Sequence, residues 1–206
     1  MAHPGRCLGV LLAGGAARRF GGRPKGLATI DGVRIADRVL GALRDATEDQ
    51  LIVANDPAAL TWFPGERVVA DSTPGVGPLM GLATALGAAD GAAVLVAAWD
   101  MPFVTGALLR ALRERGERAG AAAAPMHGAA RWVEPLCAYY PADALTACRT
   151  LLDDGERRAA ALLEVLPGVI TMDDEALASF GDPARLFDSV DSPEDLAALG
   201  GDFGSG

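Results

Sequence analysis

Three cysteines in 206 residues, with no CxxC pair among them, leave no basis for a zinc ribbon or a disulfide framework. Cys7, Cys137 and Cys148 read as reduced thiols of a cytoplasmic protein. Two histidines, His3 and His127, are too few and too far apart for a histidine-based metal site. No apolar run approaches the ~18 residues a membrane span requires, and only Arg6 precedes the first apolar run in place of a leader. The expectation is a soluble, cytoplasmic chain with no membrane partner. Excess positive charge is also missing: the formal net charge is −9, which argues against a general nucleic-acid surface. Neither common nucleotide loop is present. Lys25 is followed by Gly26 where GxxxxGK[ST] needs a hydroxyl for magnesium, and adjacent glycines break GxGxxG. No repeat or low-complexity segment divides the chain, so residues 1–199 read as one domain and 200–206 as a disordered tail.

What is present is a half-apolar composition, enough for one sizeable core, and one unusual stretch, Val10 to Leu27. An apolar run ends at Leu12 and Ala13. Gly14 and Gly15 follow, then Arg18 and Arg19, a second glycine pair, Arg23 and Lys25. Glycines directly after a strand let the backbone turn sharply and bring bare N–H groups up to a ligand. Cations in the same loop point to an anion, most simply a phosphate chain.

Along the chain, short apolar runs alternate with helical periodicity. Strands are expected at Cys7 to Ala13, Leu51 to Ala54, Arg67 to Ala70, Ala92 to Ala98, Val133 to Tyr140 and Phe187 to Val190, with residues 121–124 as strand or linker. Helices are expected at Val33 to Leu43, Leu79 to Ala89, Thr105 to Gly116, Ala142 to Leu152 and Ala159 to Leu166, with a last one opened by Ser192-Pro193. The alternation predicts an α/β protein, three-layer α/β/α with a mostly parallel sheet. In such sheets ligands bind outside the carboxyl ends of the strands. Gly14, Asn55, Asp71 and Asp100 each follow a predicted strand.

Asp100, directly after a fully apolar strand, reads as a Mg²⁺ ligand, since magnesium takes one or two carboxylates plus substrate phosphates; the alternative is a cap for the next helix. Asp71 and Asn55 read as partners of a base or ribose, or as residues of ordinary strand-exit turns. Gly75-Val76-Gly77-Pro78-Leu79-Met80-Gly81 has too many glycines for a plain connection and reads as a backbone surface against a planar base.

These residues also resemble a family. Leu12-Ala13-Gly14-Gly15 with Arg19, Gly21 and Lys25-Gly26-Leu27 is similar to the LAGGxSxRMGxxK signature of small nucleotidyltransferases, departing at Ala17 and Phe20. Asn55, Asp71, Gly77-Pro78-Leu79 with Gly81, Asp100-Met101-Pro102 and Gly155-Glu156-Arg157-Arg158 follow in the order of the molybdenum cofactor guanylyltransferases, MobA-like enzymes. Phe187 to Leu196 resembles their closing F-x-N-[IV]-N-[TS]-P-E-[DE]-L segment, with Ser189 and Asp191 where Asn is favoured. The resemblance implies a Rossmann-like nucleotidyltransferase fold and transfer of GMP from GTP to the terminal phosphate of Mo-molybdopterin, releasing pyrophosphate, with Mg²⁺ as cofactor. Molybdoenzymes or cofactor-insertion proteins are the implied partners. Lys25, Arg19 and Asp100 would be the catalytic residues. Leu12, Ala13, Gly14, Gly15, Lys25, Asn55, Asp71, Gly77 and Asp100 would line the nucleotide. A cytidylyltransferase for the same cofactor, a sugar-phosphate nucleotidyltransferase and a non-catalytic binding module are the alternatives; retention of Lys25 and Asp100 argues against the last.

Overall fold

A computed structural model of the chain describes residues 6–14 and 20–203. Its first strand, β1 (Cys7–Leu12), is buried along its whole length, and its side chains divide between two cores. Cys7 and Leu11 face one side, and Leu8, Val10 and Leu12 the other. That alternation is the two-residue period of a strand with helices on both faces. A hairpin, β2 (Thr29–Ile30) and β3 (Val33–Arg34), leads into α1 (Ile35–Ala46). Then come β4 (Asp49–Val53), α2 (Ala59–Trp62), β5 (Val68–Val69), α3 (Pro78–Ala88) and β6 (Ala93–Ala98). The second half holds α4 (Gly106–Ala119), β7 (Ala123–His127), β8 (Trp132–Val133), β9 (Cys137–Tyr140), α5 (Ala144–Asp153) and α6 (Ala160–Val165). It ends with β10 (Ile170–Met172), α7 (Asp174–Leu177) and α8 (Pro193–Ala198).

The main sheet runs β10-β7-β9-β6-β1-β4-β5, with β8 paired to β7. β1 is parallel to β4 and β6, β4 to β5, and β10 to β7, while β9 runs antiparallel between β6 and β7. Helices α1 and α4 pack on one face, and α3, α5 and α6 on the other. The three-layer, mostly parallel α/β architecture is therefore what the sequence pattern predicts. From β1 the chain moves outward to β4 and β5, then returns across the sheet to β6 on the other side of β1. That reversal makes the carboxyl end of β1 a topological switch point, where such sheets leave a crevice. No helix of the described residues is long and apolar enough to cross a membrane.

Three local expectations need correction. Val133 to Tyr140 is two short strands, because Pro135 has no N–H for the ladder and the chain kinks at Glu134-Pro135-Leu136. Phe187 to Val190 is no strand: the Val190 N–H donates to the carbonyl of Asp100 at 3.0 Å, and Phe187 lies against His127. Residues 200–203, expected in a disordered tail, instead pair with the β2 hairpin. Thr29 and Asp202 exchange both backbone hydrogen bonds, at 2.6 and 3.0 Å, and Phe203 packs edge-on to Phe20. Helix ends follow their local signals. Thr105 Oγ1 accepts the Leu108 N–H at the start of α4, Gly120 ends it at φ +63°, and Ser192 Oγ caps α8 ahead of Pro193.

Candidate active site

The sheet register assembles the site. Val69, Val53, Leu12 and Ala98 stand side by side across β5, β4, β1 and β6. Asp71, Asn55, Gly14 and Asp100 each come two residues after a member of that row, so four residues far apart in sequence meet along one rim. They line a cleft of about 1060 Å³, together with Leu12, Ala13, Lys25 and Gly77. Every predicted site residue among the described ones is thus on this cleft. Gly15 and Arg19 lie outside the described residues.

At the β4–β5 end, Asn55 and Asp71 hold each other. Asn55 Nδ2 donates to Asp71 Oδ2 and the Asp71 N–H donates to Asn55 Oδ1, both at 2.8 Å. The Thr84 hydroxyl of α3 donates to the other Asp71 oxygen at 2.9 Å. Asp71 is thereby oriented from two elements, more than an isolated turn residue needs. Gly77, at φ +124°, opens α3 ahead of Pro78, and a Cβ there would meet the Arg157 carbonyl at 3.0 Å. The same carbonyl accepts the Leu79 N–H at 3.2 Å, which docks the Gly155–Arg158 segment on the glycine loop.

At the β1–β6 end stands Lys25, the only lysine of the chain. It opens a short 3-10 turn, Lys25–Leu27, and Gly26 of that turn lies flat against the indole of Trp99. The Lys25 ammonium sits on Asp100 Oδ2 and, at 2.7 Å, on Asp191 Oδ1. Its burial works against the charge, but the charge and hydrogen bond of Asp100, then those of Asp191, outweigh it and raise its pKa above the ordinary lysine value. The group stays protonated at neutral pH. Trp99 stacks on Trp62 with ring centroids 6.1 Å apart, and both line the cleft. Behind Asp100, Glu134 is held above the usual carboxylate range by burial, with the Asp100 charge adding to it; hydrogen bonds from the Leu136 N–H and the Trp132 indole pull the other way.

Sequence reasoning did not find Asp191 as a partner of Lys25, nor Trp62, Trp99 and Glu134 near the site. The solitary lysine was the signal available for the first, since a chain that otherwise uses arginine keeps one ammonium where it meets two carboxylates. Among the described residues no group of three His, Cys, Asp or Glu is placed to hold a metal. What the cleft offers is a charged ammonium, hard carboxylate oxygens beside it, Gly14 just after β1, and a fixed Asn–Asp pair one strand away. Such a set can pair with an anion or hold a cation at one end and exchange hydrogen bonds with a polar group at the other.

The chain as a whole is similar to known proteins. Residues 9–169 match the family model of the MobA-like NTP transferase domain. A probable molybdenum cofactor guanylyltransferase of Chloroflexus aggregans is 32% identical over 91% of this chain and 90% of its own length. The molybdenum cofactor guanylyltransferase of Cereibacter sphaeroides is 36% identical over 93% of this chain and 94% of its own. The crystal structure of molybdopterin-guanine dinucleotide biosynthesis protein A from Archaeoglobus fulgidus superposes with a TM-score of 0.78 at 29% identity, covering 93% of this chain and 96% of that one. With its cleft at the switch point of β1 and its motifs on the rim, the chain belongs to the MobA-like NTP transferase family.

Proposed function

We propose that the chain transfers GMP from GTP to the terminal phosphate of Mo-molybdopterin, forming a guanine dinucleotide of the cofactor and releasing pyrophosphate. The relatives' names supply the substrates. The observation that carries the reading onto this chain is the common row of Val69, Val53, Leu12 and Ala98, which brings the nucleoside-end pair Asn55–Asp71 and the phosphate-end pair Lys25–Asp100 into one cleft.

In the reaction an oxygen of the acceptor phosphate attacks the α-phosphorus of the nucleotide, and the bond to the β-phosphate oxygen breaks. The acceptor oxygen is already anionic, so the protein needs positioning and charge neutralisation more than a general base. Leu12, Ala13 and Gly14 bring backbone up to the nucleotide, and the family resemblance adds Gly15. Asn55, Asp71 and the Gly77 loop hold the nucleoside, with Asp71 oriented as a hydrogen-bond acceptor by Asn55 and Thr84. Lys25 serves the β- and γ-phosphates and steadies the departing pyrophosphate, a role the family resemblance also gives to Arg19. Asp100 is the residue for a divalent cation, and Mg²⁺ is our assignment. Its carboxylate is of the hard oxygen type that ion takes, and it stands at the cleft. Bound there, Mg²⁺ supplies neutralisation of charge developing on the phosphates.

The test is product identity. The protein is incubated with Mo-molybdopterin and Mg²⁺ against each of the four nucleoside triphosphates, and the cofactor product is weighed by mass spectrometry. GTP is expected to give the guanine dinucleotide and pyrophosphate in clear preference to the others. Preference for CTP would replace the guanylyl reading by a cytidylyl one, and turnover only with sugar phosphates would replace the acceptor.

A further inference from the structure

Two of the chain's three tryptophans, Trp62 and Trp99, line the cleft, whereas the third, Trp132 in β8, is 52% exposed. The sheet register shows where it stands. β7 is antiparallel to β9 and β9 to β6, so the carboxyl end of β7 lies on the same rim as those of β1 and β6. The Ala98 N–H donates to the Leu136 carbonyl at 2.8 Å, and the Glu134 N–H to the Pro125 carbonyl at 3.0 Å. Trp132 pairs with His127, two residues further along β7, and therefore rises just past the level of Asp100. Hydrogen bonds link it back to the cleft. Glu134 Oε1 accepts the Leu136 N–H at 3.0 Å and its Oε2 the Trp132 indole N–H at 3.4 Å. Leu136 itself lines the cleft, and the Asp100 charge is felt at Glu134.

The indole's one polar atom is thus turned inward, and what Trp132 offers to solvent is flat apolar ring. The cross-strand neighbour His127 packs against Phe187 with ring centroids 4.4 Å apart, while Trp132 keeps half its surface in water. An aromatic face with its donor already engaged recognises another planar ring by stacking, not by hydrogen bonding. The nucleotide is assigned to the β1, β4 and β5 side of the cleft, which leaves the side of β9 and β7 to the acceptor. In Mo-molybdopterin a fused ring system carries the phosphate through a single methylene, so a phosphate delivered beside Asp100 sets the rings a short way beyond it. We propose that Trp132 is a binding residue for the acceptor, stacking on its pterin ring at the β7–β8 edge of the cleft. The inference rests on the reading of Mo-molybdopterin as the acceptor.

Protein grown with 5-fluorotryptophan has three ¹⁹F resonances, and Trp132→Phe identifies the one from position 132. Metal-free molybdopterin is expected to shift that resonance, and Mg²⁺ with a non-hydrolysable GTP analogue to leave it in place. In turnover, Trp132→Ala should raise KM for Mo-molybdopterin about tenfold, as for loss of a stacking partner, with kcat and the KM for GTP changed by less than about twofold. Trp132→Phe, which keeps a ring, should stay within about threefold of the wild-type KM. Circular dichroism checks the fold of each variant, and the ¹⁹F titration of the wild-type sequence needs no variant beyond the assignment. A resonance unmoved by molybdopterin would overturn the proposal, whatever the kinetics, and so would one that moves with the nucleotide alone. An unchanged KM for Mo-molybdopterin in Trp132→Ala would do the same. Transfer by the wild type separates the two levels. If it moves no nucleotide onto Mo-molybdopterin, the reading of the acceptor falls and the inference with it. If it does, while Trp132→Ala keeps the wild-type KM and the resonance stays in place, the inference alone falls.

Discussion

Gly26→Ala is a one-methyl perturbation whose consequence follows from the seat of Lys25. A Cβ at position 26 would stand 2.3 Å from Cε3 and 2.5 Å from Cδ2 of Trp99. Packed carbons sit ~3.5–4.0 Å apart, so the turn or the indole must give way by more than ~1 Å. The indole has nowhere to go: Trp99 is only 3% exposed and is stacked on Trp62. The turn is freer, held by the Leu27 N–H to Pro24 and the Ala28 N–H to Lys25 at 3.0 and 3.1 Å. Overpacking of this kind costs ~1–3 kcal/mol of stability, and a shift of ~1 Å in a positioned group can cost ~10²-fold in rate. The variant is therefore expected to lose kcat/KM steeply while remaining folded, measured as pyrophosphate release beside urea unfolding followed by far-UV circular dichroism. Adding Trp99→Leu should recover part of the lost rate by making room for the methyl. A Gly26→Ala protein with wild-type rate and stability within ~0.5 kcal/mol would refute the claim that this contact sets the position of Lys25.

Two further outcomes follow. Lys25→Ala should lose ~2–4 kcal/mol of transition-state stabilisation in kcat/KM, as for deletion of other groups aimed at developing charge; near-normal kinetics would remove Lys25 from the site. Burial pushes the thiols of Cys7, despite the opposing Arg113 charge, and of Cys148 from 9.0 up to about 12, and that of Cys137 upward as well. All three should be inert to dithionitrobenzoate at pH 8 in the native protein and reactive in urea. Since the folded values lie above the unfolded one, their contribution to stability is intact below pH 9.0 and is lost as pH rises through about 12. Fast native labelling, or a urea midpoint that does not fall over that window, would contradict the burial.

The parts legible in the sequence were those written in local pattern. Ala92 to Ala98 could only be a strand covered on both faces, and Asp100 directly after it had to stand at the sheet's mouth. The apolar positions of α1 gave its buried face, where Val39, Leu40 and Leu43 pack. What was not legible depends on partners remote in the chain. Phe187-Asp188-Ser189-Val190 has strand-like residues, yet Val190 spends its N–H on Asp100. Ile170–Met172 is too short to show an alternation, and it is a strand because β7 offers it a parallel partner. The tail beyond α8 looked featureless, but a two-way backbone pairing with Thr29 and the ring of Phe20 hold Asp202 and Phe203. Asp191 could be read as a departure from a motif, and only the fold shows that it reaches Lys25.

The central claim is that Asp100 serves the reaction as a charged ligand and not as a helix cap. Asparagine keeps the size and one acceptor oxygen of aspartate, caps helices about equally well, and lacks the charge a hard cation requires. The decisive measurement is the initial rate of pyrophosphate release by wild type and Asp100→Asn, at saturating GTP and Mo-molybdopterin, across a Mg²⁺ titration with circular dichroism as the fold control. The account requires an Asn variant that is folded and inactive at every Mg²⁺ concentration. A variant with the wild-type rate and the wild-type Mg²⁺ dependence would contradict it.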